Sequence, residues 1–93
     1  MPLGATSLNL SSKSIGTAAA TLLAGVIKYN TTLKSLGLFG NSIGAEGGKA
    51  LAKALEGNTT LTKVYLWGNN LDDAAKNALR EAVKGRKGFE LKL

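Results

Sequence analysis

The sequence of 93 residues contains neither cysteine nor histidine. The absence of cysteine excludes disulfide bonds, zinc sites built on thiolates and cysteine nucleophiles. The absence of histidine removes histidine metal ligands, Ser-His-Asp triads and the usual general base near pH 7. Because no nucleophile and base are placed to act together, we expect a protein that is not an enzyme and that uses neither a metal nor another cofactor.

Acidic residues are also scarce, since six Asp and Glu stand against twelve Lys and Arg, giving a formal net charge of +6. The densest basic run is Lys84, Arg86 and Lys87, at the expected end of a helix, where positive side chains complement the helix dipole. A basic surface can attract nucleic acid. Half of the basic residues lie on the expected third helix and the C-terminal tail, mostly away from the concave face, so nucleic acid is the least favoured partner.

Long apolar runs are missing as well. The uncharged stretch between Lys13 and Lys28 is too short to span a bilayer, and it lies too far from Met1 for a secretory signal. Without a signal peptide and without cysteine, the expected location is the cytoplasm, with no membrane attachment.

What the sequence does contain is an internal repeat. When the sequence is aligned with itself at one fixed offset, which we call the repeat offset, Leu8 aligns with Leu36 and Leu36 aligns with Val64. Other apolar residues align in the same way: Leu10, Leu38 and Leu66; Ile15, Ile43 and Leu71; Leu23, Leu51 and Leu79; Ile27, Leu55 and Val83. We therefore predict a single domain over residues 1–93, with repeats at about 5–32, 33–60 and 61–88 and a closing strand at 89–93.

Each unit combines the periodicity of a strand with that of a helix. Residues 35–39 alternate between apolar and other side chains, which predicts a strand, and a turn containing glycine follows. Residues 46–56 carry an apolar stripe at helical spacing, and residues 72–84 form the corresponding helix of the third unit. Neither element buries its apolar face alone, so the units must stack with their strands parallel.

One unit reads Leu33-x-x-Leu36-x-Leu38-x-x-Asn41-x-Ile43-Gly44 and continues to Asn58-Thr-Thr-Leu61. This pattern resembles the leucine-rich repeat of the ribonuclease-inhibitor type, which also occurs in NOD-like immune receptors. The resemblance implies an α/β solenoid shaped as a short horseshoe arc, with parallel strands on the concave side and helices on the convex side. It also implies a protein-interaction module that binds its partner through the concave face of the sheet.

Two asparagines occupy the same position at the bend that follows each strand. Asn41 and Asn69 are separated by the repeat offset, and a buried amide can satisfy both the donors and the acceptors that the bend leaves unpaired. We expect these two side chains to form a structural ladder rather than a binding site.

The residues between the buried leucines of each strand point to the concave side. Phe39 and Trp67 occupy equivalent positions in neighbouring units, and Tyr65 lies beside them. With Ser35 and Lys63 they form the predicted partner-binding surface, since exposed aromatic clusters are enriched at binding hot spots. The alternative is that the rings only pack across the strands and stiffen the sheet.

The first helix differs from the others at two positions. Leu22 and Val26 align with alanines in both later repeats. Either the first repeat acts as its own cap, or this end stacks on upstream repeats of a larger protein or on a second copy of the chain. Self-assembly into an oligomer through Leu22 and Val26, or origin as a fragment of a repeat protein, is therefore the alternative to partner binding.

Overall fold

Four short strands alternate with three helices along residues 6–93, the part of the chain that the computed structural model describes. The elements are β1 (Ser7–Asn9), α1 (Gly16–Tyr29), β2 (Ser35–Gly37), α2 (Gly44–Gly57), β3 (Lys63–Tyr65), α3 (Asp73–Ala82) and β4 (Glu90–Lys92).

All four strands belong to one parallel sheet in the order β1-β2-β3-β4. Leu8 pairs with Leu36, and Leu36 pairs with Val64, so the repeat offset is the pairing register of the first three strands. Val64 pairs with Leu91, which makes the last offset one residue shorter. The predicted alternation of helices with parallel strands is confirmed, and it follows from one strand and one helix in each repeat.

The core lies between the sheet and the helices. Leu36 and Val64 are each 1% exposed, because alternate strand residues point toward the helix layer. The helices contribute apolar residues spaced by three or four, which is the spacing of one helix face. Other fully buried side chains are Ile27, Leu33, Leu38, Ile43, Leu51, Leu61, Leu66 and Leu79.

Two adjacent glycines let α2 approach both of its neighbours. A Cβ atom on Gly47 would lie 2.5 Å from Ile43 Cγ2 and 3.2 Å from the Ala20 Cβ of α1. A Cβ atom on Gly48 would lie 3.2 Å from the Ala75 Cβ of α3. The spacing between neighbouring helices therefore depends on very small side chains.

The helix bounds differ slightly from the expectation. Helix α2 begins at Gly44, two residues before the predicted start, whereas α3 ends at Ala82, two residues before the predicted end. Helix α3 is shorter because the chain turns there, with the Arg86 N–H donating to the Val83 carbonyl at 3.0 Å and Gly85 at a φ of +82°. At the other end of α3, the Asp72 carboxylate accepts a hydrogen bond from the Ala75 N–H at 2.8 Å and so caps the helix.

The chain closes on the short strand β4. Leu91 and Leu93 are partly buried and pack against the core, as the alternation of residues 89–93 predicts. None of the helices within residues 6–93 has both the length and the apolar character needed to cross a membrane.

Candidate binding surface

The concave face of the sheet holds a hollow of about 390 Å³. Gly37, at the end of β2, also lines the hollow, and the Asn9 amide lies beside it, since a Cβ atom on Gly37 would be 3.1 Å from Asn9 Oδ1. Three polar residues line the side toward β1, namely Ser7, Asn9 and Ser11, and Ser35 lines the hollow at the start of β2. Three aromatic residues line the opposite side: Phe39, Tyr65 and Trp67. The hollow is thus polar on one side and aromatic on the other.

The three aromatic rings, which we call the aromatic patch, form one continuous cluster of Phe39, Tyr65 and Trp67. Tyr65 and Trp67 are separated by one residue, so their side chains point to the same side of the chain. Their rings stack with centroids 5.6 Å apart and an interplanar angle of 9°. Phe39 meets Trp67 edge to face at 6.4 Å and 78°. Both arrangements are ones that aromatic quadrupoles favour, so each ring holds its neighbour in place.

About half of the surface of two of these rings remains in water. Phe39 is 48% exposed and Trp67 is 46% exposed. Packing across the strands accounts for the buried half of each ring, because Phe39 and Trp67 contact one another. It leaves the exposed half without a structural role within residues 6–93, and exposed apolar clusters of this kind mark contact surfaces.

A carboxylate holds the hydroxyl end of Tyr65. The Tyr65 O–H donates to Glu90 Oε2 at 2.6 Å, which is a short hydrogen bond to a charged acceptor. This bond, with partial desolvation and the negative charge of Glu90, raises the pKa of Tyr65. The same bond lowers the pKa of Glu90, assisted by the positive charges of Lys63 and Lys92 and opposed by desolvation. Tyr65 therefore presents its ring to the concave side while its hydroxyl is already engaged.

The two remaining residues of the predicted surface lie at different places. Ser35 is half-buried and lines the hollow. Lys63 is exposed on β3, where it pairs with Ser35 on one side and with Glu90 on the other. Lys63 is therefore not among the residues that line the hollow, and its positive charge acts on Glu90.

The asparagines at the bends are buried and fully bonded. The Asn69 side chain accepts from the Asn41 N–H at 2.7 Å and donates to the Leu38 carbonyl at 2.7 Å. Asn41 repeats this one unit earlier, accepting from the Lys13 N–H at 2.8 Å and donating to the Leu10 carbonyl at 2.8 Å. Each amide therefore ties its own bend to the bend of the preceding repeat.

A second polar column, at the return from helix to strand, was not predicted from the sequence. Asn58 is 2% exposed and donates to the Ile27 carbonyl of the preceding repeat at 2.7 Å. Arg86, at the aligned position of the next repeat, donates to the Leu55 carbonyl at 3.0 Å and to the Leu61 carbonyl at 2.7 Å. Arg86 thus belongs to the structural framework rather than to a basic cluster. The repeat could have revealed this column, because positions 30, 58 and 86 align in the sequence.

The open end of the solenoid beside α1 exposes large apolar side chains. Leu22 is 76% exposed and Val26 is 52% exposed, so neither contributes to the core. Tyr29, on the same helix, is 77% exposed, and the sequence analysis did not single it out. These side chains lie on a helix and are separate from the concave face.

Residues 6–93 contain no group of three or more His, Cys, Asp or Glu side chains that could hold an ion.

A comparison with known families matches part of the chain. The family model of a leucine-rich repeat matches residues 29–52, which run from the end of α1 through β2 into α2. The comparison with curated proteins gives no significant match. The matched repeat, together with alternating strands and helices and a parallel sheet, makes the fold a small α/β leucine-rich-repeat solenoid. Leucine-rich repeats generally mediate protein–protein interactions and are typically not enzymes.

Proposed function

We propose that this solenoid binds a protein partner through its concave face, centred on the aromatic patch. The observation that carries the proposal is the half-exposure of Phe39 and Trp67, held by ring contacts beside a hollow of about 390 Å³. A rigid aromatic surface loses little conformational entropy when it is covered, and Tyr and Trp dominate the hot spots of interfaces.

The shape of the hollow favours a partner that inserts one apolar side chain. The hollow has a volume of about 390 Å³, and the aromatic patch provides an apolar wall for the inserted group. Ser7, Ser11 and Ser35 provide hydrogen-bonding groups on the opposite side, which suit the backbone of an extended segment. We infer a partner segment that lies across the strands, with an aromatic or aliphatic side chain against the aromatic patch.

We also infer that the repeat belongs to the ribonuclease-inhibitor type. One support is the repeat offset of 28 residues, which recurs in the strand pairing and in the bond between Asn41 and Asn69. Another is the full helix in each of the first two units, 14 residues long in α1 and α2. Buried Asn41 and Asn69 at the bend add a further feature of that pattern.

Selection from a phage-displayed library of random linear peptides tests the proposed surface. Trp67 is the only tryptophan, so its fluorescence reports directly on occupation of the patch. We expect selected peptides to change the Trp67 emission, and we expect Phe39→Ala to weaken their binding by about thirty-fold, the effect of losing a hot-spot residue. Trp67→Ala, measured with a labelled peptide, should weaken binding at least as much.

Tyr29→Ala is the matched control, because it removes an exposed aromatic ring that lies outside the concave face. It should leave peptide binding unchanged. Peptides that bind the Trp67→Ala variant as tightly as the unaltered protein would refute the proposed site. Binding of a single-stranded oligonucleotide that weakens steeply with salt would instead favour nucleic acid as the partner.

A further inference from the structure

We propose that the open end beside α1 binds a second copy of this chain, with the two α1 helices antiparallel about a two-fold axis. The surface, which we call the end face, consists of Ala19, Leu22, Val26 and Tyr29. It is separate from the concave face, and the proposal does not depend on the function assigned there.

The end face occupies the positions that form helix contacts elsewhere in the solenoid. Applying the repeat offset to the end face gives Gly47, Ala50, Ala54 and Gly57 in α2, and applying it again gives Ala75, Ala78, Ala82 and Gly85. In α2 these positions approach α1, since a Cβ atom on Gly47 would lie 3.2 Å from the Ala20 Cβ and one on Gly57 would lie 3.0 Å from Lys28 Cγ. The end face is therefore the side of α1 that a neighbouring helix covers in later repeats.

The end face differs from these internal contacts in the size of its side chains. Every equivalent residue in α2 and after it is alanine or glycine, whereas three of the four residues of the end face are large. Leu22 and Tyr29, 76% and 77% exposed, would hold a neighbouring helix farther away than Gly47 and Gly57 hold theirs. Another repeat at the internal spacing does not fit this surface, so its occupant must pack at a wider distance.

The order of side chains along α1 matches that of its own antiparallel copy. A two-fold axis at the level of residue 24 places Leu22 opposite Val26 of the copy, because these positions are equally far from the axis. The same axis places Ala19 opposite Tyr29 of the copy, which matches the smallest side chain with the largest. A two-fold interface requires this self-complementarity, and an unrelated partner does not.

The distribution of charge also favours this pairing over a head-to-tail stack. From Ser14 to Ile27 the chain carries no charged residue, so the centre of the proposed contact is uncharged despite the net charge of +6. The cation beside the end face is Lys28, whose ammonium lies over the Tyr29 ring, 5.6 Å from its centroid. The opposite end of the solenoid presents Lys76 and Arg80, which align with Gly48 and Ala52 of α2. A head-to-tail contact would place these cations against Leu22 and Val26, and desolvating them without partners is unfavourable.

Sedimentation equilibrium of the full chain over a wide concentration range tests the proposal. The weight-average mass should rise from the 9.6 kDa of one chain toward twice that value and stop there. Val26→Lys should raise the dissociation constant at least a hundred-fold, because each dimer would bury two unpaired charges. Thr21→Lys is the matched control: it adds the same charge to α1 at the exposed position that aligns with Lys49, and dimerisation should be unchanged.

Disulfide trapping tests the register itself, since the chain contains no native cysteine. A chain with Leu22→Cys is mixed with a differently tagged chain carrying Val26→Cys and is oxidised at equilibrium. Cross-linking between the two different chains should exceed cross-linking between identical chains. Urea unfolding of each variant verifies that it folds.

Three outcomes would overturn the proposal. The first is a mass of one chain at every concentration. The second is a series of masses beyond two chains, which indicates open-ended stacking. The third is a dimer that persists in the Val26→Lys variant, which would place the contact elsewhere.

Discussion

The two faces of the sheet follow opposite rules. On the face toward the helices, Leu8, Leu36 and Val64 stack in register and stay apolar from repeat to repeat. On the concave face, the neighbouring register position holds Asn9, then Gly37, then Tyr65, which share no chemistry.

The difference follows from what each face contacts. An inner residue packs against the same position of the next repeat, so every repeat constrains its neighbour and the sequence must recur. A concave residue is not enclosed between neighbouring repeats in the core, so its identity is free to change between repeats. Stability should therefore depend on the recurring positions and recognition on the others.

Asn69→Ala is the strongest test of the recurring positions. The change leaves the Asn41 N–H and the Leu38 carbonyl without their buried partner, which should lower the free energy of unfolding by about 3 kcal/mol. Urea unfolding should show a lower midpoint with an unchanged slope. Asn77→Ala, at an exposed position of α3, should change the stability by less than about 0.5 kcal/mol. If Asn69→Ala and Asn77→Ala lowered the free energy of unfolding equally, burial of the amide would not determine its contribution to stability.

Arg86 tests whether a recurring position can change its residue and keep its role. Arg86→Ala removes the donors to the Leu55 and Leu61 carbonyls. It also removes the contact of the guanidinium with the Phe89 ring, whose centroid is 4.9 Å away. Together these losses should lower the free energy of unfolding by about 2 kcal/mol. Arg86→Asn should lower it less, because the aligned Asn58 reaches the equivalent carbonyl of Ile27 with an amide.

Lys87→Ala is the control for loss of charge, since Lys87 is exposed beside Arg86. It should leave the urea midpoint nearly unchanged. If the alanine variants at 86 and 87 behaved alike, the Arg86 hydrogen bonds would contribute nothing to the framework.

Trp67→Ala tests the concave face, where we expect recognition rather than stability to depend on the residue. Because Trp67 is 46% exposed and its contacts are with Phe39 and Tyr65, the change should lower stability by about 1 kcal/mol. Its effect on peptide binding should be larger, about 2 kcal/mol or more. Calorimetric unfolding and a binding titration on the same sample measure the two effects. A loss of stability near that of Asn69→Ala would make the aromatic patch part of the framework.

The repeat explains why much of the fold is predictable from the sequence. A single offset aligns Leu36 with Val64 and Asn41 with Asn69, and stacking converts that alignment into strand register. Arg86 escaped prediction because its residue type departs from the recurring asparagine, although its position does not. The bond between Tyr65 and Glu90 escaped for a different reason: it crosses an offset of 25 residues, which the repeat does not encode.

The smallest expected effect concerns the proton on Tyr65. Its pKa is raised in the folded protein, chiefly by the hydrogen bond to Glu90, so the folded state holds this proton more tightly than the unfolded chain. Stability should therefore fall as the pH rises above the ordinary tyrosine value of 10.0. The lowered pKa of Glu90 acts at the other end of the range, where its contribution is lost as the pH falls below 4.5 toward the folded value.

Absorbance of tyrosinate isolates this effect. With two tyrosines in the chain, Tyr29→Phe leaves Tyr65 as the only one that titrates. Its midpoint should lie above 10.0, and adding Glu90→Ala should move it down, because this change removes both the acceptor of the hydrogen bond and its negative charge. An unmoved midpoint would mean that Glu90 does not hold the hydroxyl. The Tyr65 ring would then be held only by its stacking on Trp67, and its orientation in the aromatic patch would not depend on the closing strand β4.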